Sequence, residues 1–257
     1  MADAEDQTQP QQPLVIEDPL YQQAVDDRRA AIQRAAELAA AEQTEAGDAS
    51  GDRPWRWLGL LMYWGCVGWI LAYCGVLSGA LYVQFGQGEF PCPLCMLQRY
   101  AMILSSLGAM WIVMQARRGT LTTGRYVQGL GLGLLAALTG SVISTRQILL
   151  HIKPGDPGYG SPMLGLHLYT WALITFFIVA VFVAVALILA PRGVATAPGT
   201  SGLGRLGRVL SSLAVWLFLA LIVVNLVLII LLEGFAWVLP DDPSNYHLLV
   251  QLGLSKG

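Results

Sequence analysis

The sequence predicts an all-α integral membrane protein with five spanning helices. Of its 257 residues, 55% are hydrophobic and only 12% are charged, a composition far more apolar than that of soluble domains. A helix needs roughly 20 apolar residues to cross the hydrocarbon layer. Five runs of about that length are present, at 58–83, 96–114, 127–150, 168–190 and 209–232.

Lysine and arginine are distributed unevenly between the predicted loops, and basic loops are retained on the cytoplasmic side of a membrane. The loops on the amino-terminal side carry Arg53, Arg56, Arg117, Arg118, Arg125, Arg192, Arg205 and Arg208, and the opposite loops carry Lys153 and Lys256. We therefore expect the amino end to lie inside and the carboxyl end outside.

The chain divides into four predicted segments. Residues 1–52 hold twelve acidic groups against three arginines and form an acidic cytoplasmic tail, partly helical over 21–42. Residues 53–190 hold the first four spans, and 191–208 form a cytoplasmic linker rich in glycine and proline. Residues 209–257 hold the fifth span and a short outer carboxyl end.

Pairs of glycines four residues apart occur in two of the predicted spans, Gly75 with Gly79 and Gly129 with Gly133. Such pairs allow helices to approach closely in a membrane. We predict that both serve packing within the bundle rather than dimerisation. The outer loop 153–165 contains three prolines and four glycines, which favours a succession of tight turns.

The strongest chemical signal is the sequence Cys92-Pro93-Leu94-Cys95 at the outer start of the second span. Pro91 and Pro93 mark the first turn of a helix, where unpaired backbone N–H groups and the positive end of the helix dipole favour a thiolate. Arg99 follows Cys95 by four residues and so lies on the same helical face. This arrangement predicts a redox-active cysteine pair.

A structural zinc site, an inert disulfide and two packed thiols are the alternatives for this pair. Zinc would need about four ligands, and the remaining cysteines, Cys66 and Cys74, fall within the first span. Eight helical residues separate those two, about 12 Å along the axis, which is too far for a disulfide. We interpret Cys66 and Cys74 as packing residues and expect no metal.

Four arginine and histidine side chains lie in the spans or at their outer ends, where such groups are costly unless they have a function or reach the headgroups. Arg99 and Arg146 are the arginines, and His151 and His167 end the third span and open the fourth. Instead of having a function, the arginines could extend to the lipid headgroups, and the histidines could form hydrogen bonds at the membrane surface. A haem held by the two histidines is a further one.

The segment from Pro91 to Tyr100, which reads Pro-Cys-Pro-Leu-Cys-Met-Leu-Gln-Arg-Tyr, resembles the disulfide bond formation protein B family, DsbB, of bacterial inner membranes. The segment from Ser144 to His151, Ser-Thr-Arg-Gln-Ile-Leu-Leu-His, and the outer loop after it are weaker matches. The resemblance covers about 57–190 and implies a four-helix bundle there. The acidic tail and the fifth, carboxyl-terminal helix lie outside it.

The resemblance implies a thiol:quinone oxidoreductase. Cys95 would attack a quinone, ubiquinone or menaquinone, beside Arg99, and Cys92 would then complete the disulfide. A periplasmic thioredoxin-like dithiol protein, similar to DsbA, would be the electron donor. Arg146 and His151 are the further candidates for quinone binding. We expect no nucleic acid partner.

The chain departs from the family in its outer loop. Members of the best-known type carry a second cysteine pair between the third and fourth spans, whereas 153–165 contains none. The partner could attack Cys92–Cys95 directly, another membrane subunit could supply the missing pair, or the direction of flow and the partner could differ. An accessory subunit that assembles another membrane protein is therefore the alternative function.

Overall fold

The computed structural model describes residues 19–47, 56–195, 203–236, 240 and 243–254. In these ranges the chain is helical, apart from turns and one isolated bridge between Met163 and Leu166. The helices are α1 (Pro19–Gly47), α2 (Arg56–Gly86), α3 (Pro93–Arg117), α4 (Thr123–Leu150), α5 (Leu168–Ala195), α6 (Gly204–Glu233) and the short α7 (His247–Gln251).

Helix α1 belongs to a separate unit of the chain, residues 1–51. It covers the segment 21–42 that the sequence predicts to be helical, and its apolar residues Ile32 and Leu38 are largely exposed. A helix without a buried apolar face is typical of a solvated segment. The rest of the predicted tail, 1–18 and 48–52, lies outside the described residues.

The five predicted spans are confirmed as five helices long and apolar enough to cross a membrane, α2 to α6. The helices exceed the predicted runs because hydropathy marks only the part within hydrocarbon, while backbone hydrogen bonding continues into the headgroup layer. Helix α5 continues through Pro191 to Ala195, and α6 begins at Gly204. The described part of the predicted linker 191–208 is thus mostly helical.

Helices α3 and α4 make the most extensive contact in the bundle, and glycine allows it. A Cβ atom added to Gly108 of α3 would overlap the carbonyl oxygen of Gly129 and the backbone of Gly133. The prediction of internal packing is therefore confirmed for the second glycine pair. It is wrong for Gly75 and Gly79, since a Cβ atom on either would meet nothing within 4 Å.

Helix α6 packs against α2 and α3 through a polar as well as an apolar face. Asn225 is fully buried, and its backbone carbonyl accepts a hydrogen bond of 3.1 Å from the hydroxyl of Tyr100. Beyond α6 the chain turns at Gly234, which has a positive φ of 64°. The Phe235 N–H then donates to the Gln251 side chain at 2.8 Å, which holds α7 against the end of α6.

Candidate functional site

Cys92 and Cys95 form a disulfide at the amino end of α3, with their Cα atoms 5.1 Å apart. Cys92 is the N-cap residue in an extended conformation, and Pro93 begins the helix. The Cys92 sulfur accepts a hydrogen bond of 3.2 Å from the Cys95 N–H. A cysteine thus occupies the capping position usually taken by serine or aspartate, where a negative charge on sulfur is favoured.

The two sulfur atoms have different surroundings. Cys92 is buried at 6% exposure, whereas Cys95 is half-buried and lines a cavity of about 620 Å³ between α2, α3, α5 and the outer loop. Gly75 and Gly79 lie along the wall of the cavity, so the absence of side chains there leaves it open. Only one member of the pair therefore faces a space that a membrane-soluble molecule can occupy.

Arg99 lines the same cavity, one turn below Cys95, as their shared helical face predicts. It is buried, and its guanidinium donates to the Gln84 side-chain oxygen at 2.8 Å and to the Ala80 carbonyl at 3.1 Å. Both acceptors are neutral, and no carboxylate of the described residues forms an ion pair with it. The positive charge is held in place without being neutralised.

A residue of the carboxyl-terminal segment completes this arrangement. The Gln84 amide nitrogen donates to the Tyr246 hydroxyl at 3.2 Å, while the Gln84 oxygen accepts from Arg99. The Tyr246 ring packs edge-on against the ring of Phe90, with the ring centres 5.1 Å apart. Phe90 precedes Cys92 by two residues. The segment after α6 therefore contacts Gln84, which holds Arg99 (together, the arginine network), and also Phe90 in the segment that leads to Cys92.

A buried pair of amide side chains lies beside the disulfide. Gln147 of α4 donates from its side-chain nitrogen to the sulfur of Cys92 at 3.3 Å and to that of Cys95 at 3.5 Å. Its side-chain oxygen accepts from Gln98 of α3 at 2.8 Å. Both glutamines are almost completely buried. The hydrogen bond from Gln98 orients the Gln147 amide so that its N–H groups point at the sulfurs.

The outer loop is tied to the segment immediately before Cys92. The Tyr159 hydroxyl donates to the Phe90 carbonyl at 2.7 Å, and the Glu89 carboxylate accepts from the backbone N–H of Ser161 at 3.1 Å and from its hydroxyl. Glycines at positive φ make the tight turns that the composition predicts, among them Gly158 and Gly160. The loop is therefore ordered by specific contacts although it lacks regular structure.

The two histidines that border the 153–165 loop, His151 and His167, have structural partners. His151 and His167 each stack on the Tyr169 ring, and the His167 ring nitrogen lies 3.2 Å from the Gly160 carbonyl. The His151 ring nitrogen lies 3.1 Å from the Asp156 carboxylate. Hydrogen bonds from the Gly158 N–H and from His151 lower the pKa of Asp156. These contacts explain why both histidines lie at this interface.

The structure brings together only some of the predicted site residues. Cys95 and Arg99 border the cavity, and Cys92 is bonded to Cys95 behind it. Arg146 is exposed on α4, and neither it nor His151 lines the cavity. Cys66 and Cys74 are free and buried in the core face of α2, as expected of packing residues. In the described part of the chain, no three His, Cys, Asp or Glu residues cluster as metal ligands would.

Sequence reasoning missed four residues of the site, Gln84, Gln98, Gln147 and Tyr246. The three glutamines carried a usable signal, because polar side chains in a membrane helix are costly and usually face a polar partner or a site. Tyr246 carried none, since its contact with Gln84 joins positions 162 residues apart.

Fold and site together define a multi-pass, all-helical membrane protein with a disulfide at the amino end of a spanning helix. Residues 63–161 match the family model described as disulfide bond formation protein DsbB. The chain is 31% identical over 144 residues to disulfide bond formation protein B 1 of Pseudomonas savastanoi pv. phaseolicola, covering 44% of this chain and 82% of that protein. The chain therefore belongs to the DsbB family.

Other relatives agree. A disulfide bond formation protein B of Burkholderia pseudomallei is 32% identical over 149 residues, which cover 46% of this chain and 85% of that protein. One of Azoarcus sp. strain BH72 is 39% identical over 88 residues, 34% of this chain and 51% of that protein. The chain thus spans about half the length of some relatives that it matches. No solved structure is significantly similar to it.

Proposed function

We propose that this protein is a membrane thiol:quinone oxidoreductase whose single working cysteine pair is Cys92–Cys95. The observation that carries the proposal is that Cys95 and Arg99 border one cavity among membrane helices, while Cys92 does not. In each cycle the pair's two thiols become one disulfide, and a quinone takes up the two electrons and two protons as quinol. A dithiol protein then reduces the disulfide again and is itself oxidised.

The cavity suits a quinone headgroup in size and in chemistry. Its volume of about 620 Å³ lies within the range of small-molecule sites, and its wall is mostly apolar, with polar side chains that include Glu89, Gln98 and Arg99. A guanidinium carries several N–H donors, and the contacts with Gln84 and Ala80 engage one on each terminal nitrogen. Further donors can bind a carbonyl oxygen and stabilise negative charge that develops on it.

The positions of the sulfurs suggest a division of roles. Cys95 faces the cavity, so its thiolate is the one that can reach a quinone. Cys92 closes the S–S bond with Cys95 as two electrons pass to the quinone. The partner's thiolate then attacks the Cys92 sulfur of this disulfide, the S–S bond breaks, and Cys95 leaves as the thiolate. A second partner thiolate releases Cys92 from the mixed disulfide. The partner would be a thioredoxin-like dithiol on the periplasmic side of the bacterial inner membrane.

This scheme replaces the relay of family members that have two cysteine pairs. The outer loop contains no cysteine, so electrons must enter at Cys92–Cys95 itself unless another subunit supplies a pair. Purified full-length protein can decide between these routes, because it contains no second subunit. Direct attack predicts that the isolated chain is sufficient for turnover.

The test is quinone reduction by the full-length chain in lipid nanodiscs, with a reduced thioredoxin-fold dithiol as donor. We expect steady quinol formation that falls to background in Cys92→Ala and in Cys95→Ala. When the same partner is supplied to Cys95→Ala in its oxidised form, the Cys92 thiolate should attack the partner's disulfide and form a mixed disulfide with it, releasing the partner's other sulfur as a thiolate. Cys66→Ala and Cys74→Ala are the matched controls and should retain activity. A wild-type pair that stays reduced in excess quinone would disprove the proposal.

The assembly-subunit alternative rests on the fifth span and the missing second pair. The helix of that span contains two polar residues, Asn225 and Glu233, that another membrane protein would have to contact, but Asn225 is fully buried against this chain's own helices. Affinity purification from membranes separates the two functions. A stoichiometric partner that remains bound to Cys92→Ala would support assembly, whereas a partner captured only through the mixed disulfide supports catalysis.

A further inference from the structure

We propose that Gln147 is a catalytic residue that donates hydrogen bonds to the reacting sulfurs and so stabilises the reduced, thiolate form of the Cys92–Cys95 pair. The inference rests on the proposed function for its role in turnover. Its effect on the thiols, however, can be measured without any quinone.

The geometry provides one N–H for each sulfur. The Gln147 side-chain nitrogen lies 3.3 Å from the Cys92 sulfur and 3.5 Å from the Cys95 sulfur, and an amide nitrogen carries one hydrogen for each contact. A disulfide sulfur is a weak acceptor, whereas a thiolate is a charged one and accepts much more strongly. The same contacts therefore gain strength when the pair is reduced.

The amide is held in the orientation that this role requires. Gln98 donates to the Gln147 oxygen at 2.8 Å, and both side chains are at most 5% exposed. Because the Gln147 oxygen is bound to Gln98, the nitrogen is the end of the amide that faces the sulfurs. No reorganisation is needed when charge appears on sulfur, which is the condition under which a fixed dipole is most effective.

The location among membrane helices makes these donors important. Burial in an apolar medium disfavours a thiolate and raises the pKa of a thiol. At the start of α3 the backbone N–H groups and the helix dipole oppose that effect, and Gln147 adds donors from a second helix. Placing an amide in a membrane helix is costly, and its contacts with Gln98 and the two sulfurs provide the compensation.

The test compares Gln147→Met, which keeps the length of the side chain but removes its donors, with wild type. In the reduced full-length chain, the pH dependence of alkylation at Cys92 and Cys95 is followed by mass spectrometry of the labelled peptides. We expect the pKa of the more acidic thiol to rise by about 1, the value of one charge-assisted hydrogen bond. The equilibrium with a reference dithiol should shift about tenfold toward the disulfide, or about 30 mV.

Two further variants serve as a control and as an independent test of the role of Gln147. Ser144→Ala alters another buried polar residue of α4, whose hydroxyl makes no hydrogen bond to the sulfurs, and it should leave the thiol pKa unchanged. Gln98→Met releases the Gln147 oxygen and should produce a smaller shift in the same direction as Gln147→Met. If Gln147→Met does not fold, the thiol pKa of Gln98→Met is compared with that of wild type instead.

The outcomes separate this inference from the proposed function. If Gln147→Met changes thermal stability but leaves the thiol pKa and the equilibrium with the dithiol at wild-type values, Gln147 is structural and the inference is wrong. If the wild-type chain reduces no quinone, the proposed function fails. The pKa comparison still decides whether Gln147 stabilises the thiolates.

Discussion

At the scale of single residues, the site consists of a few polar groups placed where a membrane helix normally has none. Arg99 is the most exceptional, since it is a buried cation whose partners in the described structure are neutral oxygens. Arg146 is chemically the same residue in the next helix, yet it is exposed. The two arginines thus have the same side chain but different surroundings, so a substitution of Arg146 is a suitable control for the same substitution of Arg99.

The arginines lead to a prediction about quinone affinity. Arg99→Gln should raise the KM for quinone by about tenfold or more, because one hydrogen bond from a charged group contributes about 1.5–3 kcal/mol. The measurement is steady-state quinone reduction at saturating dithiol donor. Arg146→Gln, at the exposed position, should keep the wild-type KM. Equal effects of the two substitutions would mean that quinone does not bind beside Arg99.

At the scale of helices, the bundle is joined by close packing on one side and left open on the other. Gly108 of α3 lies directly against Gly129 and Gly133 of α4, whereas Gly75 and Gly79 of α2 border the cavity. The same four-residue glycine spacing therefore produces a tight interface in one place and a space in another. Which of the two forms depends on the side chains that the neighbouring helix presents.

The carboxyl-terminal segment gives a second prediction at this scale. It lies beyond the family match, which ends at residue 161, yet Tyr246 hydrogen-bonds Gln84, which in turn binds Arg99. Tyr246→Phe removes one hydrogen bond, about 1 kcal/mol, and should lower the Tm by about 2–4 °C. We also expect a rise of a few fold in the KM for quinone, because Gln84 is less firmly held.

The matched control is Tyr21→Phe, which removes the same hydroxyl from an exposed tyrosine of α1. It should alter neither the Tm nor the KM. If Tyr246→Phe also leaves both unchanged, the carboxyl-terminal segment has no influence on the arginine network. A lower Tm with an unchanged KM would show that its role is confined to stability.

At the scale of the whole molecule, the five spans and the charge asymmetry predict which side of the membrane carries the disulfide. Eight basic residues in the loops of one side and two in those of the other predict that the disulfide and the outer loop face the periplasm. The proposed exchange with a periplasmic dithiol requires this orientation, since disulfides persist in oxidising compartments.

Orientation can be tested with exposed positions on opposite sides. Lys153 of the outer loop and Arg118 after α3 are both exposed. In intact cells a membrane-impermeant thiol reagent should label Lys153→Cys, whereas Arg118→Cys should be labelled only after the membrane is opened. Wild-type protein gives the background from its own cysteines. The reverse pattern would place the disulfide in the cytoplasm and exclude a periplasmic partner.

The sequence by itself determined the membrane class, the five spans, the cysteine pair at a helix start and its alignment with Arg99. These are local properties, because hydropathy, helix capping and a four-residue spacing depend only on neighbours along the chain. Only the tertiary structure decided that Cys95 rather than Cys92 faces the cavity and that Arg146 does not reach it. The contact of Gln147 with both sulfurs likewise joins separate helices through packing, which no local pattern specifies.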